Sequence, residues 1–342
     1  MTQSIYDTAA LEKHLSRKGF GGRDLRRTHR LLFREFTPLE DMGWEKEMLE
    51  DFQNEFDTSY LTLVHRADSQ IDGATKLLFE TRDGKKIETV ILRIATGRTS
   101  ICVSSQVGCT EKCRFCSTGD LGFLRNLTCD EILDQVMQAG RIIAAEGRRL
   151  RNIVFMGMGE PLRNYKNLVA SVKLLVTQNV FDINPKRITV STSGIPDPFV
   201  DFAREFPQVS LALSLHGSND EARSSIMPIN NRYPMARIRS MLEELQEIRG
   251  TGLMIEYIMF KGINDSLEDA EELKQFLNGL MTHVNLIPYN PDYSLDKSFE
   301  PSSEEAVDAF KQHLQDAGHQ VTRRFSLGQD IAAACGQLAN KE

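Results

Sequence analysis

The 342 residues, 41% of them hydrophobic, suffice for one large core and a smaller satellite domain. No apolar run approaches the roughly 18–20 residues of a membrane-crossing helix, and no secretory segment opens the chain, so a soluble cytoplasmic protein with no membrane partner is expected. A net charge of −7 argues against a chain coated along its length by nucleic acid, since neutralising phosphates takes clustered Lys and Arg.

Residues 1 to about 75 alternate helical segments with charged connectors and are expected to form a small accessory domain. Asp72-Gly73 and Thr81-Arg-Asp-Gly84 supply turn chemistry between short strands, so a β-rich linker should follow. Three stretches are basic: Ser16 to Arg30, Gly147 to Arg151, and Arg323-Arg324. Such runs often line solvated faces.

From residue 99 onward, short and almost continuously apolar runs predict strands covered on both faces: Thr99 to Ser104, Asn152 to Met156, Arg187 to Ser191, Val209 to Leu215, Leu253 to Phe260 and Val284 to Pro288. Amphipathic stretches lie between them, including Asp130 to Ala145, Leu168 to Thr177, Met235 to Ile248 and Leu267 to Leu277. Asp130 and Asn219 sit at cap positions, and Thr128-x-x-Glu131 reads as a capping box. Six strand–helix repeats predict an α/β fold, a partial (β/α)6 barrel with right-handed crossovers.

Cys109-Thr-Glu-Lys-Cys113-Arg-Phe-Cys116 directly follows the first strand, at the barrel end where active sites are built. Three thiols at C-x3-C-x2-C suit a 4Fe–4S cluster, usually held by four cysteines, with one iron left open. Structural zinc is the alternative, but it takes four ligands, usually as paired units, and no second pair is present. Cys102, Cys129 and Cys335 are scattered, which fits a reducing compartment better than a disulfide framework. Other strand ends are polar or glycine-rich: Gly157-Met-Gly159-Glu160-Pro161, Ser191-Thr-Ser-Gly194, Ser214-Leu215-His216-Gly217 and Pro288-Tyr-Asn290. On one face they would form a small-molecule pocket, glycine allowing close backbone approach.

The stretch Cys102 to Gly119, together with Gly122 to Thr128, Gly157-Met-Gly-Glu-Pro-Leu162, Val190 to Gly194, Ser214-Leu-His216, Pro228-Ile-Asn230 and Ala334-Cys-Gly-Gln-Leu338, resembles the RlmN/Cfr family of radical S-adenosylmethionine (SAM) enzymes that methylate an adenine of 23S ribosomal RNA. The resemblance covers about residues 86 to 339. It implies a radical SAM barrel over residues 76–342 and an RNA-engaging accessory domain over 1–75. It also implies cluster ligation by Cys109, Cys113 and Cys116, and SAM binding by Gly159, Glu160, Ser191, Ser214, Leu215, His216 and Asn290, with two SAM molecules consumed per turnover.

Three further residues receive roles from the resemblance alone. Cys335 would be methylated, lose a hydrogen to a 5′-deoxyadenosyl radical, and join the adenine ring. Glu88 would accept the ring proton, and Cys102 would resolve the joined species by forming a disulfide bond with Cys335. The implied partners are 23S rRNA, tRNA as a further substrate, and an external electron donor such as flavodoxin, with the chain acting as a monomer. Carbon 2 of adenine is the expected target and carbon 8 the alternative; a diverged methyltransferase or a non-catalytic cluster protein binding RNA are the remaining readings.

Overall fold

The computed structural model describes residues 2–291 and 299–339. Gln3–Ser4 (β1) opens a helical lobe of Thr8–Arg17 (α1), Gly22–His29 (α2) and Lys46–Glu55 (α3), which Phe56–Asp57 (β2) closes by pairing in parallel with β1. Leu11, Leu15, Leu32, Phe33, Phe52 and Phe56 make its core. After α2 the helix widens into one π-turn, Arg30–Arg34, with Glu35 N–H bonded to Arg30 O. That turn buries Leu32 and Phe33 and leaves Arg30 and Arg34 in solvent.

Leu61–Asp68 (β3), Ala74–Thr81 (β4), Lys86–Arg93 (β5) and Thr99–Cys102 (β6) run as an antiparallel meander, with the predicted turns between them. Gln106–Gly108 (β7) and Phe123–Asn126 (β8) form a two-stranded ribbon around the short helix Ser117–Asp120 (α4). Cys129–Ala145 (α5), Leu150–Phe155 (β9), Tyr165–Val176 (α6), Ile188–Thr192 (β10), Pro196–Glu205 (α7) and Ser210–Ser214 (β11) then alternate. Asp220–Ile226 (α8), Met235–Arg249 (α9), Leu253–Met259 (β12), Leu267–Leu277 (α10), Thr282–Pro288 (β13), Glu304–Asp316 (α11) and Gln320–Arg323 (β14) complete the order.

Ten strands form one open sheet, β14-β13-β12-β11-β10-β9-β6-β5-β4-β3, parallel from β6 to β14. The six predicted runs are β6 and β9–β13. Their central residues Ile153, Val190, Leu213, Ile255 and Val284 are fully buried, as a sheet with helices on its faces requires. β14 was not expected: Gln-Val-Thr-Arg buries only Val321 and, as an edge strand, shows no apolar run. Thr128 and Glu131 do form a capping box, and Asn219 caps α8. Asp130 is not a cap; it sits in the first turn of α5, where its carboxylate accepts from Ser4 Oγ.

Because β6 and β9–β13 share one direction, the loops after them gather along one edge of the sheet. The fold thereby brings together segments distant in the sequence.

Candidate active site

The cysteine loop lies between β7 and α4 and is tied down at several points. Cys109 N–H donates to Gly122 O (3.0 Å) and Arg114 N–H to Ile226 O (2.9 Å), while Glu111 binds Arg163 (2.8 Å). Cys109, Cys113 and Cys116 line one cavity with Gly159, Glu160, Ser191, Ser214, His216 and Cys335. Burial, reinforced by neighbouring acidic groups, pushes the Cys109 thiol up to about 12 and the Cys113 thiol well up; Cys116 is a neighbour that adds to both shifts.

Thiols so placed stay protonated unless a metal body supplies compensating charge. Among the described residues no three His, Cys, Asp or Glu side chains converge enough for a single metal ion. Three soft sulphur donors set around a cavity, and not on a point, fit a 4Fe–4S cluster.

Glu160 is fixed by its own surroundings. Its carboxylate accepts from Ser193 N–H and Oγ (both 2.8 Å) and from Leu162 N–H (3.0 Å). Burial raises its pKa and these donors oppose the rise, so a cationic ligand group would meet a pre-aimed acceptor. Gly159 before it has φ +98°, and a Cβ there would lie 2.5 Å from Gln106 Cβ. Ser191 and Ser214 share a 3.3 Å hydrogen bond across β10 and β11.

His216 is buried with φ +55°, and its Nδ1 accepts from Ile258 N–H (3.1 Å), which puts the ring proton on Nε2. The ring stands edge-on to Phe115 of the cysteine loop, 5.2 Å between centroids. Burial, then the nearby Arg223 charge, lowers its pKa from 6.5 to about 3. The unfolded chain therefore binds a proton that the folded one refuses, and stability should fall as pH drops from about 6.5 towards 3, by up to about 1.4 kcal/mol per unit. In His216→Asn this part of the acid-denaturation slope should disappear, as urea titrations at a series of pH values would show.

Two of the expected SAM contacts do not line the cavity. Leu215 is fully buried; it offers its backbone, donating to Glu256 O (3.0 Å) and accepting from Arg223 Nε (3.0 Å). Asn290 is buried against the tail, donating to Ser326 Oγ (2.8 Å) and accepting from Gln329 Nε2 (2.7 Å).

The tail folds back over the cysteine loop. Ser117 N–H donates to Gly336 O (2.7 Å) and Thr118 Oγ1 to Leu338 O (2.7 Å), which sets Cys335 on the cavity wall. Gly336 has φ +86°, the left-handed backbone that turns the chain there. Glu88 on β5 is fully buried; Ala339 N–H donates to its Oε2 (2.9 Å) and Lys76 Nζ lies 3.3 Å from its Oε1. It is thus no exposed strand glutamate. Cys102 pairs with Val90, and alternation along β5 turns Glu88 to the same side of the sheet.

Cys102 and Cys335 are both free thiols, so the expected disulfide bond is not formed in this structure. They nevertheless interact electrostatically: burial first and then Cys335 push the Cys102 thiol up to about 12, while Arg324 pulls it down. Cys129 is also free and accepts from Ser171 Oγ (3.4 Å).

Three charged residues here were not read from the sequence as parts of the site. Arg324, half of a basic doublet, lines the cavity beside Met156 and Glu256 (3.8 Å), and its pKa is raised, with Cys335 the first cause. Glu256 is buried and accepts from Asn285 Nδ2 (3.0 Å). Arg223 is fully buried and donates to Ser193 O (2.5 Å), Leu215 O (3.0 Å) and Asn230 Oδ1 (2.8 Å), joining three loops of the site. Arg223→Leu should cost about 3 kcal/mol or more by orphaning those acceptors, measurable as a shifted urea midpoint.

Among the described residues no helix is long and apolar enough to cross a membrane. The family model of the Radical SAM superfamily matches residues 103–277. The chain is 48% identical over 282 residues to a probable RNA methyltransferase of Rhodopirellula baltica, covering 82% of this chain and 74% of that protein. It is 40% identical over 286 residues to a probable dual-specificity RNA methyltransferase RlmN of Thermotoga neapolitana (84% and 81% covered). Identity is 39% over 317 residues to a ribosomal RNA large subunit methyltransferase Cfr of Staphylococcus warneri (91% and 89%). Among solved structures, a radical SAM methyltransferase from Sphaerobacter thermophilus superposes with a TM-score of 0.91 at 39% identity, covering 99% of this chain and 100% of that one.

Membership of this superfamily implies a 4Fe–4S cluster and SAM, which the thiol-lined cavity suits. The cysteine loop, the strand-end residues and the tail cysteine on one cavity, with these similarities, lead to one conclusion: the chain is an enzyme and belongs to the RlmN/Cfr family of radical SAM methyltransferases.

Proposed function

We propose that the enzyme methylates an sp2 carbon of adenine in 23S rRNA, carbon 2, by way of a methylated Cys335. The observation that carries this reading is the presence of Cys335 on the same cavity as the three loop thiols, within electrostatic reach of Cys102. A ring carbon between two nitrogens is electrophilic and has no lone pair, so direct methyl-cation transfer lacks a route. A protein sulphur that first accepts a methyl group and then delivers it as a radical removes that obstacle.

When bound at Cys109, Cys113 and Cys116 and against Glu160, Ser191 and Ser214, the cluster and SAM supply an electrophilic methyl group and a hydrogen-abstracting 5′-deoxyadenosyl radical. Two SAM molecules are then used per turnover. Cys335 offers sulphur to the methyl group, beside the guanidinium of Arg324. It next carries the carbon to an adenine splayed out of its stack. Glu88 accepts the proton that leaves the ring carbon. The odd electron left on the ring by the addition would return to the oxidised cluster. The Cys102 thiolate then attacks the Cys335 sulphur, forming an S–S bond as the carbon–sulphur bond breaks, and the freed methylene carbon takes a proton to become the methyl group. Neutral His216 sets the loop geometry and adds no competing positive charge.

Methylation at carbon 8 is the second reading, favoured by the near-equal identity to relatives named RlmN and Cfr, 40% and 39%. The proposal extends to tRNA as a further substrate, a flavodoxin-class electron donor, and a monomer acting in the cytoplasm. Anaerobically reconstituted protein with SAM, reductant and rRNA should give 5′-deoxyadenosine and 2-methyladenosine by nucleoside mass spectrometry. 8-Methyladenosine would move the target to carbon 8. No 5′-deoxyadenosine with any RNA would overturn the enzymatic reading.

A further inference from the structure

A second surface of this acidic chain is strongly basic and lies away from the thiol cavity. Arg30, Arg34, Arg148, Arg149, Arg151 and Arg187 line one broad groove. A neighbouring concavity shares Arg30 and Arg34 and adds Arg23, Arg26 and Arg27 of α2. Three segments distant in sequence thus converge: α2 with its π-turn, the connection from α5 into β9, and the turn before β10. All nine guanidinium side chains are exposed. Arg30 is paired with Glu35 and Arg34 with Asp182, each at 3.2 Å. Among the described residues the other seven have no carboxylate or hydrogen-bond partner, unlike Arg93, Arg125 and Arg223, whose partners are specific.

The groove sits where β9 and β10 begin, next to Leu150 and Arg187, whereas the cavity lies where they end, next to Met156 and Ser191. A strand of this length spans roughly 17–20 Å, so the groove is a separate site. Its two aromatic residues, Phe36 and Phe181, are buried and offer no plane for stacking bases. Seven unpaired guanidinium groups on an open surface suit a run of phosphates and gain by counterion release. Without exposed rings, the surface reads backbone and not bases, as proteins do on A-form duplex.

The geometry points to a second RNA footprint: the groove docks the phosphate backbone of a duplex segment of the same RNA whose adenine enters the cavity. This rests on the proposed RNA reading and adds where a remote part of the substrate is held. Such a footprint helps only RNAs long enough to reach it. A short hairpin presenting the target loop alone gains nothing from it.

The test compares the wild-type holoenzyme with Arg148→Gln/Arg149→Gln/Arg151→Gln. For a long 23S fragment that includes the flanking duplexes, KM should rise about tenfold at unchanged kcat. The slope of log affinity against log salt should fall by about 2–3, at roughly 0.7–0.9 per lost phosphate contact. KM for the short hairpin, and 5′-deoxyadenosine formed without RNA, should not move. Unchanged KM and salt slope on the long fragment overturn the inference. So does an equal loss on the hairpin, which would mean a distorted cavity, or a loss seen with an acidic protein reductant but not with dithionite, which would assign the groove to the electron donor. If the wild-type enzyme methylates neither RNA, the adenine reading falls; fluorescence anisotropy with a target-free RNA duplex then decides the groove, a reduced salt slope supporting it and an unchanged slope refuting it.

Discussion

Cys335→Ala should eliminate RNA methylation, by about a thousandfold or more, as expected when an obligatory covalent carrier is removed. The tail holds this sulphur on the cavity wall through the Ser117–Gly336 and Thr118–Leu338 hydrogen bonds, and neither bond uses the Cys335 side chain. Alanine therefore keeps the tail in place and deletes only the reacting atom. The fold should survive, since Cys335 is partly exposed and contributes little to the core. Mass spectrometry of the tail peptide should show one added methyl group in the wild-type protein and none in the variant. Full turnover in the variant would remove the covalent carrier from the mechanism.

The Cys102→Ala enzyme should react once and stop, accumulating a protein–RNA adduct visible as a shifted band on a denaturing gel. The Cys102 thiol is pushed up to about 12 by burial and by Cys335. Once Cys335 carries carbon it can bear no negative charge, so the second of those influences vanishes while Arg324 continues to favour the Cys102 thiolate. On the proposed mechanism, the resolving sulphur thus gains thiolate character when the adduct exists. Below its pKa the thiolate fraction grows about tenfold per pH unit, and in the wild-type enzyme adduct lifetime should shorten accordingly between pH 7 and 9. An adduct that clears equally fast without Cys102 would assign resolution elsewhere.

The parallel strands β6 and β9–β13 were legible because each is a nearly continuous apolar run, and the cysteine loop because its spacing is local. Thr128 and Glu131 announced α5 for the same reason: a capping box is complete within four residues. Arg223 was not legible. In Asp-Glu-Ala-Arg-Ser-Ser-Ile it looks like the polar face of a short helix, and only the assembled fold supplies its acceptors at Ser193, Leu215 and Asn230. Arg323-Arg324 misled in another way. Consecutive residues of an extended strand point to opposite sides, so Arg323 pairs with Glu304 at the surface while Arg324 reaches the thiols. The separate basic segments likewise gave no sign that α2 and the start of β9 meet.

If carbon delivery and proton removal run as proposed, the Ala339–Glu88 hydrogen bond sets their order. While the tail lies down, one oxygen of that carboxylate is occupied by a backbone amide and the other faces Lys76. On the proposed mechanism, lifting the tail towards a nucleobase would vacate the first oxygen. Delivery of the carbon and arming of the proposed proton acceptor would then be a single movement, an interlock that keeps the base idle until there is a proton for it to take.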